Sequence, residues 1–335
     1  MSPGAGREWF CLSLTTTLAV FVRFQYPVFR EGGISYNLRR TFTCWLQNEV
    51  LMKRFAAVIC LSLLGVSSVS AADTAIPSGD AWTPGPGWKL EWSDEFNGKT
   101  LNHDYWTAEL GSQNNGWGNS ELEKYTEDSE NIFLKDGSLV IRAAYKGGGA
   151  EGVNYTSARI KTQGKKDFLY GRIAARMKLV KGQGLWPAFW MLGSAISKTE
   201  WPACGEIDIM EAGKEGNFHK IGGTLHFRDW RGEWLFLTGE ARVTGGSVAD
   251  NYHVYEVEWT PEKLVWRLDG VDYHEQPISA PDMAAFHKPF FILLNLAVGG
   301  KGTTYTGLGS VPDLKAFPQE MRVDWVRVYK REVAK

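Results

Sequence analysis

Cysteine is nearly absent from this chain of 335 residues: there are four, and only Cys204 lies beyond residue 72. One thiol builds neither a disulfide framework nor a zinc site, so neither carries the fold. An excess of either charge is also missing. The chain has 37 Lys and Arg against 38 Asp and Glu, net −1, with residues 1–72 at +4 and the remainder at −5. No basic face is offered to nucleic acid or to a polyanion, and a neutral partner fits better. Long apolar runs are lacking too. The strongest, Phe55 to Val66, falls short of the roughly 20 residues that span a bilayer. Neither a βαβ rhythm nor an internal repeat is present.

That short run has a particular setting. Met52-Lys53-Arg54 precedes it and the small residues Ser67 to Ala72 follow. A cationic start, an apolar middle and a small-residue end describe a secretory signal peptide over 52–72, cleaved after Ala71 or Ala72. Cys60 lacks the small residue before it that a lipid anchor needs. A secreted protein, extracellular or periplasmic, is therefore expected, with no membrane attachment after cleavage. Because such a signal belongs at the N-terminus, residues 1–51 read as an upstream extension that is not part of the fold. Residues 73–87, rich in Pro, Gly, Ser and Thr, read as a flexible lead-in.

What is abundant is tryptophan, with 15 residues. Its flat face suits core packing and equally suits stacking on sugar rings. From Trp88 to residue 332 the pattern has period two almost throughout. Over Phe168 to Lys181, Leu169, Ile173, Met177 and Leu179 share one face while Arg172, Arg176 and Lys178 share the other. Met321 to Lys330 alternates likewise, and Asp269-Gly270 between extended runs predicts a hairpin. Pro281 to Phe286 alone suggests a helix. Gly147-Gly148-Gly149 and Gly245-Gly246 suit hairpin tips. One all-β domain over 88–332, a two-sheet antiparallel sandwich, follows.

Chemistry concentrates in Gly205-Glu206-Ile207-Asp208-Ile209-Met210-Glu211. Glu206 and Asp208 share a strand face, but Glu211, five residues on, points away unless a residue is inserted. A β-bulge at Ile209-Met210 would restore the parity and turn all three acids to one side, with Ile207 inward and the second apolar residue absorbed by the bulge. Three carboxyl groups on one face repel, so at least one keeps its proton to unusually high pH, which a general acid needs. Paired carboxyls are the machinery of glycoside cleavage, and the aromatic neighbours Trp186, Phe189, Trp190 and Trp201 suit a sugar. Solvated acids on a strand face would give the same spacing.

Several further stretches occur in order: Asp94-Glu95-Phe96-Asn97-Gly98, Trp117-Gly118-Asn119 with Glu121 and Tyr125-Thr126, Ser157-Ala158-Arg159-Ile160, and Leu185-Trp186-Pro187-Ala188-Phe189-Trp190-Met191-Leu192. After the acidic strand come Gly223-Thr224-Leu225-His226-Phe227, Tyr252-His253-Val254-Tyr255 leading to Glu258-Trp259-Thr260-Pro261, Asn295 to Gly300, and Val323-Asp324-Trp325-Val326-Arg327-Val328-Tyr329. Together they resemble glycoside hydrolase family 16, and within it the laminarinase-like endo-1,3-β-glucanases. The resemblance implies a jelly-roll sandwich of the concanavalin A-like lectin/glucanase type, with a concave sheet as substrate cleft. It also implies a β-glucan substrate, a monomer, and catalysis that needs no cofactor. By that pattern Glu206 is the nucleophile, Glu211 the acid/base, and Asp208 the residue between them. Asn119, Arg159, Trp186, Trp190, Trp201, His226 and Asn295 become substrate-binding positions, with His226 assisting Glu211. Trp230 and Trp234 become candidates for the cleft edge. The family often carries a structural calcium, for which Glu95, Asp324 and the Gly137 carbonyl match. Each position also has a plainer reading: Trp186 as core, Arg159 as an ion pair, His226 as a structural histidine. Cys204 reads as packing. A non-catalytic β-glucan-binding lectin on the same fold, or a relative acting on another polysaccharide such as agar, are the competing functions.

Overall fold

The computed structural model describes residues 19–22, 42–45, 82–147, 155–213, 218–243, 246–300 and 314–332. The chain divides into two units, residues 1–74 and 75–335. In the first, the strands Ala19–Val22 and Phe42–Trp45 pair antiparallel. The signal-like run 52–72, residues 73–81 and the two glycine-rich turns at 148–149 and 245 lie outside the described residues.

The second unit is two stacked sheets. Among the described residues one has the strand order Trp234–Arg242, Lys220–Arg228, Glu206–Ala212, Leu185–Gly193, Phe290–Val298, Arg159–Lys161, Thr107–Glu109. The other, the back sheet, runs Val271–Pro277, Lys263–Leu268, His253–Trp259, Gly171–Lys178, Gln319–Arg331, Ser138–Tyr145, Tyr155–Ser157, Glu123–Tyr125. All neighbours are antiparallel except the last pair. One hydrophobic core drawn from the inner faces of both sheets joins them, with Trp106, Trp259 and Trp266 among its largest fully buried members. Period-two alternation produces this directly: Ile173, Ala175 and Met177 turn inward while Arg172, Arg176 and Lys178 do not.

The strand expected from Phe168 to Lys181 is shorter, Gly171–Lys178. Tyr170 and Gly171 have φ of 58° and 126°, which breaks the extended run, and Asp167–Phe168 pairs instead with the first sheet. A Cβ on Gly171 would lie 2.5 Å from the Tyr329 carbonyl oxygen, so only glycine fits there. Asp269-Gly270 forms the expected two-residue hairpin turn, φ 51° and 82°, and Pro281–His287 is a 3₁₀ helix. The Asp269 carboxylate also binds His253 Nδ1 at 2.6 Å and the Val254 N–H at 2.7 Å, tying the turn to the neighbouring strand.

The described part of the lead-in expected at 73–87 packs on the back sheet. Trp82 Nε1 donates to the buried Glu256 carboxylate at 3.0 Å and its ring packs on Trp325 and Tyr329 at 5.2 and 5.9 Å. Arg172 bonds the Pro84 carbonyl and lies over the Trp88 ring. Composition predicted mobility, but the back sheet presents an aromatic face and a buried carboxylate that hold this segment. The residues that match the calcium position are engaged with arginines in this structure. Both Glu95 oxygens are taken by the Arg327 guanidinium, at 2.9 and 2.7 Å, and Asp324 accepts from Arg176 at 2.8 Å. Gly137, the third position of that reading, occupies a turn with φ 73°.

Candidate active site

The carboxylate strand Glu206–Ala212 carries the expected bulge. On one side Asp208 pairs with Thr224 and Glu211 with Gly222; on the other, Asp208 pairs with Trp190 and Met210 with Phe189. Three residues thus oppose two, and parity resets. Glu206, Asp208 and Glu211 stand opposite Leu192, Trp190 and Ala188, which all face away from the core. Ile207 is buried inward as expected, but so are both Ile209 and Met210, each fully inaccessible. Burial of each contributes about 1.5–3 kcal/mol. Two consecutive inward side chains are possible only where the strand is irregular, so core burial itself favours the bulge.

Each acid then meets a specific partner. Trp201 Nε1 donates to Glu206 Oε2 at 3.0 Å, and Trp186 Nε1 donates to Glu211 Oε1 at 3.0 Å. Trp186 therefore lies on the outer face with the acids, not in the core. His226 Nε2 lies 3.3 Å from Asp208 Oδ2 and 3.8 Å from Glu206 Oε1. This corrects the expectation that His226 assists Glu211. Antiparallel register pairs His226 with Glu206 and leaves Gly222 opposite Glu211. Trp234 Nε1 donates to His226 Nδ1 at 3.2 Å, and an indole N–H can only donate. With Nδ1 accepting, it is Nε2 that presents an N–H to the two carboxyl groups.

Burial pushes Glu206 up to about 8, reinforced by Asp208 and Glu211 and opposed by His226 and the Trp201 N–H. Burial alone pushes Asp208 up to about 8. Burial more than crowding therefore raises both groups, and the repulsion expected between the acids contributes at Glu206. Glu206, Asp208 and His226 are close enough together to hold a metal ion. The Trp234 hydrogen bond argues against one, because a ligating Nε2 must give up its proton.

The remaining expected residues form a second group. Asn295 is almost fully buried, and its amide is satisfied by protein: Trp190 Nε1 donates to Oδ1 at 2.7 Å, and Nδ2 donates to Tyr125 Oη at 3.1 Å. Tyr125 in turn donates to Glu121 Oε2, and Asn119 donates to Glu121 Oε1, both at 3.0 Å. Asn295 thus orients Trp190 and links it to Tyr125, a role inside the protein beside its reading as a sugar ligand. Arg159 combines both of its readings: it pairs with Glu109 and lies between the Trp117 and Trp190 rings, 4.7 and 4.9 Å from their centroids. Trp230 is 81% exposed and its backbone N–H bonds Asp282, not any of the acids. Cys204 is buried with its thiol pushed up to about 11 by burial, consistent with packing.

Glu109, Trp117, Glu121 and Tyr125 were not singled out as site residues. The Trp117-to-Thr126 stretch was visible as a motif, yet nothing local says that its tyrosine reaches a strand 170 residues away.

Three acids on the outer face of a β-sandwich, each next to an indole or imidazole, have the make-up of a glycoside-cleaving site. The comparisons agree. The family model for glycosyl hydrolases family 16 matches residues 113–327. A β-glucanase of Rhodothermus marinus is 36% identical over 295 residues, 83% of this chain and 95% of its own length. Glucan endo-1,3-beta-glucosidase A1 of Niallia circulans is 36% identical over 73% of this chain, which spans only 38% of that longer protein. The structure of endo-beta-1,3-glucanase from Pyrococcus furiosus superposes with a TM-score of 0.65 at 41% identity, covering 74% of this chain and 96% of that one. The chain belongs to glycosyl hydrolases family 16, and its two-sheet sandwich is the family's jelly roll.

Proposed function

We propose that this chain is a secreted, endo-acting β-1,3-glucanase that also accepts mixed-linked β-1,3-1,4-glucan and cleaves with retention by double displacement. The observation that carries the reading is the bulge. It turns Glu206 and Glu211 to one face, where each has an oxygen engaged by an indole N–H. In the first step the Glu206 carboxylate attacks the anomeric carbon, the glycosidic C–O bond breaks, and Glu211 gives its proton to the departing oxygen. In the second, Glu211 takes a proton from water, which displaces Glu206. Retaining enzymes need the two carboxyls about 5–5.5 Å apart. No cofactor enters either step, and the protein acts as a monomer. Trp186, Trp190 and Trp201 offer indole faces to sugar rings. Secretion is supported by the cationic, apolar and small-residue order of the sequence over 52–72.

The test is a reducing-sugar assay of the protein secreted from its native gene on laminarin, curdlan, lichenan and agarose, with early product followed by NMR. Release of oligosaccharides from laminarin with the β-anomer appearing first is expected. Binding without cleavage would favour the lectin reading, and α-anomer first would exclude double displacement.

A pH dependence follows. Glu206 attacks only when ionised, so activity rises as its proton leaves. Since its pKa is raised, the acidic limb of kcat/KM should lie well above the ordinary carboxylate range near 4.5. Asp208→Asn removes a negative neighbour that raises this pKa, so the limb should move to lower pH. A profile from pH 4 to 10 decides; an unmoved limb would show that Asp208 does not act on Glu206 through its charge.

A further inference from the structure

We propose that Trp266, supported by Tyr273, is a positioning residue that holds the catalytic bulge from beneath and so aims Glu211. This rests on the catalytic reading above and adds to it residues of the opposite sheet that never meet substrate.

A bulge leaves backbone groups without ladder partners, and buried ones must find others. The Asp208 carbonyl points into the sandwich, where Trp266 Nε1 donates to it at 2.8 Å. The next carbonyl, that of Ile209, takes a longer bond from Tyr273 Oη at 3.4 Å. Both donors belong to the back sheet, to the paired strands Lys263–Leu268 and Val271–Pro277. That pair is itself irregular: Trp266 opposes His274 and Arg267 opposes Asp272, which leaves Tyr273 as the inserted residue. One bulge therefore sits under the other, and the lower supplies hydrogen bonds that the upper lacks.

Space for this contact is made by two glycines. Gly223 and Gly239 face each other on adjacent strands of the catalytic sheet. A Cβ on Gly223 would lie 2.5 Å from Trp266 Cδ1 and 2.7 Å from Tyr273 Oη; one on Gly239 would lie 2.4 Å from Cγ of His274. The His274 ring in turn packs on the indole, with centroids 4.7 Å apart. Neither glycine has the positive φ that would require it for torsional reasons, so close approach is what they supply. Ordinary core packing explains a buried indole, but not two hydrogen bonds to successive carbonyls of the one irregular turn that sets the acid's direction.

The test separates aim from folding. Glu211 protonates the leaving oxygen, so it matters most for a sugar leaving group and least for an acidic phenol. In Trp266→Phe, kcat/KM on laminari-oligosaccharides should fall about 10–100-fold. On a dinitrophenyl β-laminaribioside it should stay within about twofold, so that its dependence on leaving-group acidity steepens. Equal loss on both substrates would overturn the proposal, because a smaller folded fraction lowers both alike. If circular dichroism shows Trp266→Phe unfolded, Tyr273→Phe, which removes a single oxygen, carries the test. The same split at smaller size is then expected, and wild-type kinetics on both substrates would overturn the proposal. Wild-type protein inactive on every glucan and on the aryl glycoside would instead count against the catalytic reading itself.

Discussion

Glu206→Ala is expected to lower kcat on laminarin by about 10⁴-fold or more, and Glu211→Ala by about 10²–10⁴-fold, with binding of glucan retained in both. Azide then distinguishes the two roles. Without the Glu206 carboxylate, a small anion can enter the space beneath the anomeric carbon. With an activated aryl glycoside it displaces the phenol directly, giving the α-glycosyl azide. Without Glu211, Glu206 still forms the covalent intermediate from the activated substrate. Azide, which needs no base to accept its proton, then attacks from the opposite side and gives the β-glycosyl azide. The two variants should therefore yield opposite anomers, readable by NMR. A β-azide from Glu206→Ala would reverse the assignment, and near-native hydrolysis of laminarin by either variant would remove that residue from the chemistry.

Glu256→Ala is expected to cause the largest loss of stability. Glu256 is fully buried in the back sheet, where it pairs with Arg172, with Arg267 Nη1 at 2.9 Å, and with the Trp82 indole at 3.0 Å. Removing the carboxylate leaves two largely enclosed guanidiniums without their central anion. Breaking one side of a buried pair costs about 3–5 kcal/mol, against about 2–4 °C of Tm per kcal/mol in a domain of this size. A drop of roughly 6–20 °C should follow in a thermal melt. Glu256→Gln keeps the shape and part of the hydrogen bonding and should lose less. A change within about 2 °C for the alanine variant would mean that the arginines find other partners, Asp272 and Glu258 both already bonding Arg267. The same experiment bears on residues 82–87, since the Trp82 anchor would go with the carboxylate.

Sequence reading succeeded where the information was local. The alternation in Gly171–Lys178 and Gln319–Arg331 is a property of neighbouring residues, and so are the Asp269-Gly270 turn and the parity of Glu206, Asp208 and Glu211. It failed where a residue's role depends on something remote. His226 was paired with the wrong acid because register between strands is not written in either strand. The bonds that Asn295 makes to Tyr125 and Trp190 are not visible either, because those residues converge on it from distant strands. The lead-in looked mobile because its composition hides Trp82's partner, 174 residues on.

By itself, then, the amino-acid order determined the two-sheet character and the need for an inserted residue between Asp208 and Glu211, since both follow from a backbone whose side chains alternate every residue. Tertiary structure alone decided which groups meet: the indole on each glutamate, the imidazole between Asp208 and Glu206, and the Trp266 N–H under the bulge. Those contacts form only when two sheets twist and stack, and short-range forces along the chain cannot specify them in advance.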